Sequence, residues 1–199
     1  VSETPKKPLK DSDFYETPPE FFRCVKDAFG EILLDTCAEA STAKCPRFIT
    51  QEQDALKTDW YLAAGKPGYA WCNPPYSKEG KKDDFIKKMA QEAERNVWTI
   101  ALLPVKTDTK VWHQYVEKYP YVFIEGRLSF WLNGKPSAGA GRFANVLVCF
   151  CPPEFYNQEK AKLVKVIEYW KHQRTISRIA ARISRAAEKL KGKSDYSGW

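Results

Sequence analysis

The chain has 199 residues, 43% hydrophobic and 14% aromatic, enough for one well-buried core and too few for two full-sized domains. No apolar run approaches the roughly 20 residues a bilayer span needs, and the first residues lack the basic-apolar-small pattern of a secretory leader, so a soluble, cytoplasmic protein without membrane contact is expected. The net charge of +7 is unevenly placed: residues 154–199 hold 11 Lys/Arg against 5 Asp/Glu, whereas residues 1–153 hold 21 against 20. A basic tail on a nearly neutral body suits an anionic partner, nucleic-acid phosphate first, although a lysine-rich solvated face has the same composition.

In chain order, residues 1–13 are polar and proline-rich and read as a flexible arm. Thr17 as N-cap, Pro18 in the first turn and Glu20 three residues on predict a helix that carries Phe21, Phe22, Val25 and Phe29 on one face and stops at Gly30. Ile32-Leu33-Leu34-Asp35 reads as a short buried strand ending in a carboxylate. Further strands are predicted at Tyr69–Cys72, Val97–Leu103, Tyr121–Ile124 and Ala144–Cys151, with helices at Asp84–Arg95 and Val111–Lys118. Strands alternating with helices imply an α/β sheet, largely parallel and covered on both faces. The stretch Asn133–Arg142 is rich in Gly, Ser and Pro and reads as a mobile loop between two final antiparallel strands. After Pro152-Pro153, Leu163, Ile167 and Trp170, then Ile176, Ile179, Ile183 and Leu190, keep a helical period beside a stripe of Arg174, Arg178, Arg182 and Arg185. The organisation expected is an arm (1–13), a catalytic domain (14–153) and a basic helical extension (154–199), whose apolar stripe packs on the body or on a second copy. The six cysteines, Cys24, Cys37, Cys45, Cys72, Cys149 and Cys151, match no zinc or redox spacing, which predicts reduced, mostly buried thiols and no metal.

The chemistry is carried by Asn73-Pro74-Pro75-Tyr76, directly after the strand Tyr69–Cys72. In an open α/β sheet, ligands bind beyond the carboxyl ends of the strands. Two prolines stiffen the turn. An adenine amino nitrogen is a poor nucleophile because its lone pair is delocalised into the ring. The Asn73 side-chain oxygen and the Pro74 carbonyl offer acceptors for both amine hydrogens, which favours a tetrahedral nitrogen aimed at a sulfonium methyl. Tyr76 offers a ring face for an extruded base. The tetrapeptide is the signature of amino-methyltransferases, and the Pro-Cys nucleophile of a C5-cytosine enzyme is absent, since Cys45 and Cys151 precede prolines.

Beyond this motif, Thr17-Pro18-Pro19-Glu20-Phe21-Phe22, Leu34-Asp35, residues 43–48 (AKCPRF), Asp54-Ala55-Leu56, Asp59-Trp60, Lys106-Thr107-Asp108-Thr109 and residues 126–130 (GRLSF) follow in order. Together they make residues 14–152 resemble the phage-type Dam-like DNA N6-adenine methyltransferases. The resemblance implies a Rossmann-like class I sheet with S-adenosylmethionine as cofactor and S-adenosylhomocysteine as product. It implies cofactor contacts from Thr17, Pro18, Asp35, Cys37, Asp54, Asp59, Trp60 and Asn73, with Trp60 stacking on the cofactor adenine. The sequence departs from a usual nucleotide-binding turn in one respect: small residues, Thr36-Cys37-Ala38, stand where glycines allow close backbone approach.

DNA is the partner expected, held by Lys106, Thr107, Asp108 and Thr109 at a strand end, by Arg127 and Arg142 on either side of the mobile loop, and by Arg174 and Arg178 on the tail. Lys106–Thr109 suits a helix cap equally well. Three alternatives accompany adenine in DNA: a base in RNA, the amide of a protein glutamine, and a non-catalytic DNA-binding protein on a degenerate scaffold. A homodimer through the carboxyl-terminal helix is the further partner expected.

Overall fold

The computed structural model describes residues 11–77, 81–137 and 143–194. The first helix, α1, spans Pro19–Phe29 and leads into strand β1 (Ile32–Asp35). Pro18, not Thr17, is its N-cap: the Pro18 carbonyl accepts from Phe21 and Phe22, and Pro19, which lacks an N–H to leave unpaired, takes the first helical position. Then come β2 (Arg47–Phe48), α2 (Trp60–Ala64), β3 (Gly68–Cys72), α3 (Lys82–Ala93), β4 (Val97–Pro104), a π-helical turn at Trp112–Val116 where a longer helix was expected, and β5 (Tyr121–Phe123). A hairpin of β6 (Trp131–Leu132) and β7 (Lys135–Pro136) turns at Asn133-Gly134, both with positive φ, as a two-residue hairpin loop requires. β8 (Asn145–Phe150) and α4 (Tyr156–Ser194) complete the chain's regular elements.

Six strands form one sheet in the order β2-β1-β3-β4-β8-β5. β2, β1, β3 and β4 are parallel; β8 runs antiparallel to both β4 and β5. The molecule is therefore a mixed α/β fold on a mainly parallel sheet. Both faces are covered, which is why β8 is apolar from Val146 to Phe150 with no polar alternation. Ala101, Leu103, Val146 and Val148 face α2 and α3, while Ile100, Leu102, Leu147 and Cys149 face α1 and α4.

The carboxyl-terminal stripe forms one 39-residue helix. Its first half belongs to the core: Glu159, Leu163 and Val166 are fully buried, and Trp170 meets Phe21 edge-on at 5.2 Å. α4 runs alongside β5, from Lys160, whose ammonium donates to the Tyr121 carbonyl, to Arg174, whose guanidinium donates to the Glu125 carbonyl at 2.9 Å. Residues 175–189 are all exposed, including Ile176, Ile179 and Ile183. At 1.5 Å per residue the remaining helix extends about 30 Å past that contact.

Candidate active site

β1 has β2 on one side and β3 on the other, so the loops after β1 and β3 diverge and leave a crevice between them. A cavity of about 1130 Å³ opens at this point. Thr17, Asp35, Cys37, Asp54 and Asn73 all reach its wall. These residues lie far apart in sequence, and the strand ends bring them together.

Asp35 ends β1 and is 3% exposed. Its Oδ1 accepts from the Cys37 N–H at 3.3 Å and its Oδ2 from the Lys44 N–H at 3.0 Å. Burial outweighs these bonds and pushes the carboxyl up to about 6. Thr17 is 2% exposed and its hydroxyl has no hydrogen-bond partner, an unmet polar atom on the cavity wall. The Cys37 sulfur lies 3.9 Å from that of Cys72, and burial raises the Cys37 thiol well above its ordinary range. All six cysteines are unpaired thiols. Asp54 holds a left-handed backbone (φ 55°), receives the Leu56 N–H at 3.1 Å and pairs with Lys57.

Asn73 is fixed from both sides. Its Nδ2 donates to the Tyr15 carbonyl at 2.7 Å, and its Oδ1 accepts from the Tyr76 hydroxyl at 2.7 Å. The first bond settles which way the amide faces, and the second lone pair of Oδ1 stays available to a ligand. Pro74 is buried, and Pro75 meets the cavity. Tyr76 is half-buried, its ring edge-on to Phe130 at 5.9 Å and Phe143 at 5.3 Å, and its hydroxyl is also 3.1 Å from the Leu102 carbonyl. Burial keeps its phenol neutral.

Asp59 and Trp60 stand apart from the cavity. Trp60 is fully buried under the sheet and its indole N–H donates to the Ala55 carbonyl at 2.8 Å, which leaves no ring face to offer a ligand. Asp59 caps α2 by accepting from the Leu62 N–H and pairs with Arg95 at 2.6 Å. Pro18 serves as the cap of α1. Thr109 donates to the Lys106 carbonyl at 2.8 Å and accepts from the Trp112 N–H, closing the turn after β4, while Lys106, Thr107 and Asp108 are exposed at that strand's end. Arg127 is exposed in the loop after β5; Arg142 lies outside the described residues. Arg174 is held on Glu125, and Arg178 lies on the exposed part of α4.

One contributor has no signature in the sequence. Asp13 accepts the Ser77 N–H at 2.8 Å and its hydroxyl at 2.6 Å, Tyr15 stacks on Phe130 at 5.5 Å, and Glu16 bridges to Trp131. Residues 13–16 thus strap the turn after β3, across 64 positions in the case of Asp13 and Ser77. Thr50 and Gln51, just past β2, also line the cavity; the short apolar step Phe48-Ile49 before them was the available signal.

Sheet, crevice and rim define an α/β protein with a large cavity beside a rigid Asn-Pro-Pro-Tyr turn. The chain belongs to the DNA N-6-adenine-methyltransferase (Dam) family, whose model matches residues 2–193 and so takes in α4 as well as residues 14–152. It is similar to the DNA N-6-adenine-methyltransferase of Escherichia phage T1, 31% identical over 134 residues, 66% of this chain and 53% of that protein. It is also similar to the DNA N-6-adenine-methyltransferase of Haemophilus phage HP1 (strain HP1c1), 28% identical over 170 residues, 79% of this chain and 90% of that protein. The chain thus spans about half the length of the T1 relative. Among the described residues no helix is long and apolar enough to cross a membrane, and no group of His, Cys, Asp and Glu is placed to hold a metal ion.

Proposed function

We propose that this chain transfers a methyl group from S-adenosylmethionine to the exocyclic N6 of adenine in DNA, on a base turned out of the helix. The observation that carries this is Asn73, its amide fixed by the Tyr15 carbonyl and the Tyr76 hydroxyl at the wall of the large cavity. We infer the sheet to be of the Rossmann-like class I kind; the parallel strands diverging around the crevice, with one antiparallel strand inserted before the last, support that inference.

The cavity fits the cofactor. The unpartnered Thr17 hydroxyl and the Asp35 carboxylate are buried polar groups on the cavity wall, suited to the hydroxyl and amino groups of such a molecule. Cys37 and Asp54 line the same wall. When bound, S-adenosylmethionine supplies a sulfonium methyl, and S-adenosylhomocysteine remains as product. The chain's own part is positional. Asn73 Oδ1 and the Pro74 carbonyl accept the two amine hydrogens and concentrate the nitrogen's lone pair on the side facing the cavity. Tyr76, Phe130 and Phe143 give the flipped base an aromatic wall. No strong base is needed before transfer, because the proton leaves only after the nitrogen has become cationic.

DNA meets the rim through Arg127 and the exposed turn at Lys106–Asp108, and meets the projecting part of α4 through Arg178 and the basic residues beyond it. Residues 175–194 hold six Lys/Arg and one Glu, a charge that attracts phosphate and opposes self-association. A homodimer is a second use of the same helix, favoured by the exposed Ile176, Ile179 and Ile183 at heptad spacing.

Asn73→Ala and Tyr76→Ala are expected to abolish or severely reduce methyl transfer to DNA while the cofactor still binds and the melting curve stays cooperative. Full activity in both variants would sink the assignment. Methylation of RNA or of protein glutamine, with DNA untouched, would move the substrate to one of those classes.

A further inference from the structure

The charged wall of the large cavity is mainly acidic: among the described residues, Asp13, Glu16, Asp35, Glu39 and Asp54 line it against two lysines, Lys44 and Lys81. Lys81 is exposed at the head of α3, where its charge acts on Asp54. Lys44 is half-buried, and among the described residues its ammonium closes no hydrogen bond or ion pair, although its backbone N–H is held by Asp35 Oδ2 at 3.0 Å. A half-buried cation without a counter-ion costs free energy, which an anionic ligand group would offset.

The two ends of the cavity differ in character. Cys45, next to Lys44, packs with Phe21 and Phe22 of α1, and Thr17 lies just ahead of that helix. Lys44, Asp35 and Thr17 therefore belong to the α1 end, where the Thr17 hydroxyl is 2% exposed and unpartnered. The wall on the α2 and α3 side is apolar, from Ile49, Leu56 and Phe85. Lys44 and Asp35 carry opposite charges at one end and do not close on each other as an ion pair, so each remains open to a different group. A cation, a carboxylate and an unmet hydroxyl at one end, with apolar side chains at the other, match a ligand that has a zwitterionic head and a flat body.

We propose that Lys44 binds the carboxylate of the amino-acid end of S-adenosylmethionine, beside Asp35 and Thr17 for its ammonium, and that these opposed charges set which way round the cofactor lies. This rests on the methyltransferase function proposed above. The apolar end is left to the adenosine. An acidic wall suits a ligand with two cationic groups, the sulfonium and the ammonium; the carboxylate alone calls for a lysine.

The test is calorimetric binding to the full chain, without DNA, of S-adenosylmethionine and of its decarboxylated form, which differ only in the carboxylate. Lys44→Met keeps the aliphatic stem and removes the charge; Lys44→Gln replaces it if the methionine variant does not fold. The substitution is expected to weaken S-adenosylmethionine about 10- to 30-fold, the scale of one charged hydrogen bond, and to leave the decarboxylated form within about 3-fold. Lys44→Arg, which restores the charge, should recover most of the loss. Unchanged affinity for S-adenosylmethionine, or an equal loss for both ligands, overturns the proposal while the methyltransferase reading stands. Unchanged cofactor affinity with weakened DNA binding overturns it too, and assigns Lys44 to phosphate. A wild-type chain that folds, binds neither ligand and methylates no DNA overturns the underlying function, and the role of Lys44 with it.

Discussion

Asp35 carries the site's clearest pH signature. Its carboxyl ordinarily titrates near 3.8 and is pushed up to about 6 by burial at the end of β1. A raised carboxyl binds its proton more tightly folded than unfolded. The folded state therefore loses stability as pH climbs from about 4 through about 6, by roughly 3 kcal/mol in all. Urea titrations of the unliganded chain from pH 4 to 8 should show that decline, and Asp35→Asn should lack it; parallel curves for the two would contradict the burial argument. Asn73→Ala is expected to cost roughly 10² to 10³ in kcat, the scale of removing one preorganised polar group from a dry site, with cofactor affinity little changed. Asn73 and Asp35 were legible in the sequence because each ends a recognisable strand, and strand ends are where such sheets bind. Asp59 and Trp60 read two ways in the sequence for a physical reason. An acid beside a tryptophan reads equally well as a ligand contact and as a helix cap above a core residue, and here the cap and the core took them.

At the scale of elements, the first half of α4 is locked to the sheet by a buried polar cluster. The Tyr69 hydroxyl donates to Glu159 Oε2 at 2.9 Å, and the Lys162 ammonium reaches Glu159 Oε1 at 2.8 Å and the Tyr69 oxygen at 2.6 Å. Glu159 is fully buried, so removing its carboxylate leaves the Tyr69 hydroxyl and the Lys162 ammonium without their shared acceptor. Glu159→Ala is expected to destabilise the fold by about 3 to 5 kcal/mol, read as a lower urea midpoint, and Glu159→Leu by less, since the leucine refills the space. A neutral Glu159→Ala would mean that α4 contributes little to the core. The principal strands and helices were readable because their apolar patterns are long: β4 is apolar but for Thr99, β8 is apolar from Val146 to Phe150, and Phe85, Met89 and Ala93 recur every fourth residue in α3. β2 has two residues and carries no period at all. The strap of residues 13–16 consists of individual hydrogen bonds to distant residues, which local pattern cannot encode.

Over the whole molecule, charge and chemistry occupy the same side. α4 runs along β5 toward the edge that carries Asn73 and Arg127, then continues with six Lys/Arg in residues 175–194. Ending the chain at Arg174 leaves the buried core intact. It should leave the melting transition nearly unchanged while reducing the slope of log affinity for DNA against log salt by several units, about 0.9 for each phosphate no longer neutralised. An unaltered slope would assign the projecting helix to self-association instead.

Adenine N6 in DNA as the acceptor is tested most directly by transfer of a labelled methyl group to unmethylated DNA, followed by digestion and identification of the labelled nucleoside. The arrangement around Asn73 predicts label in N6-methyldeoxyadenosine with wild-type chain, and labelling slower by roughly 10² to 10³ with Asn73→Ala. Label on cytosine, or on RNA or protein with none on DNA, would contradict it.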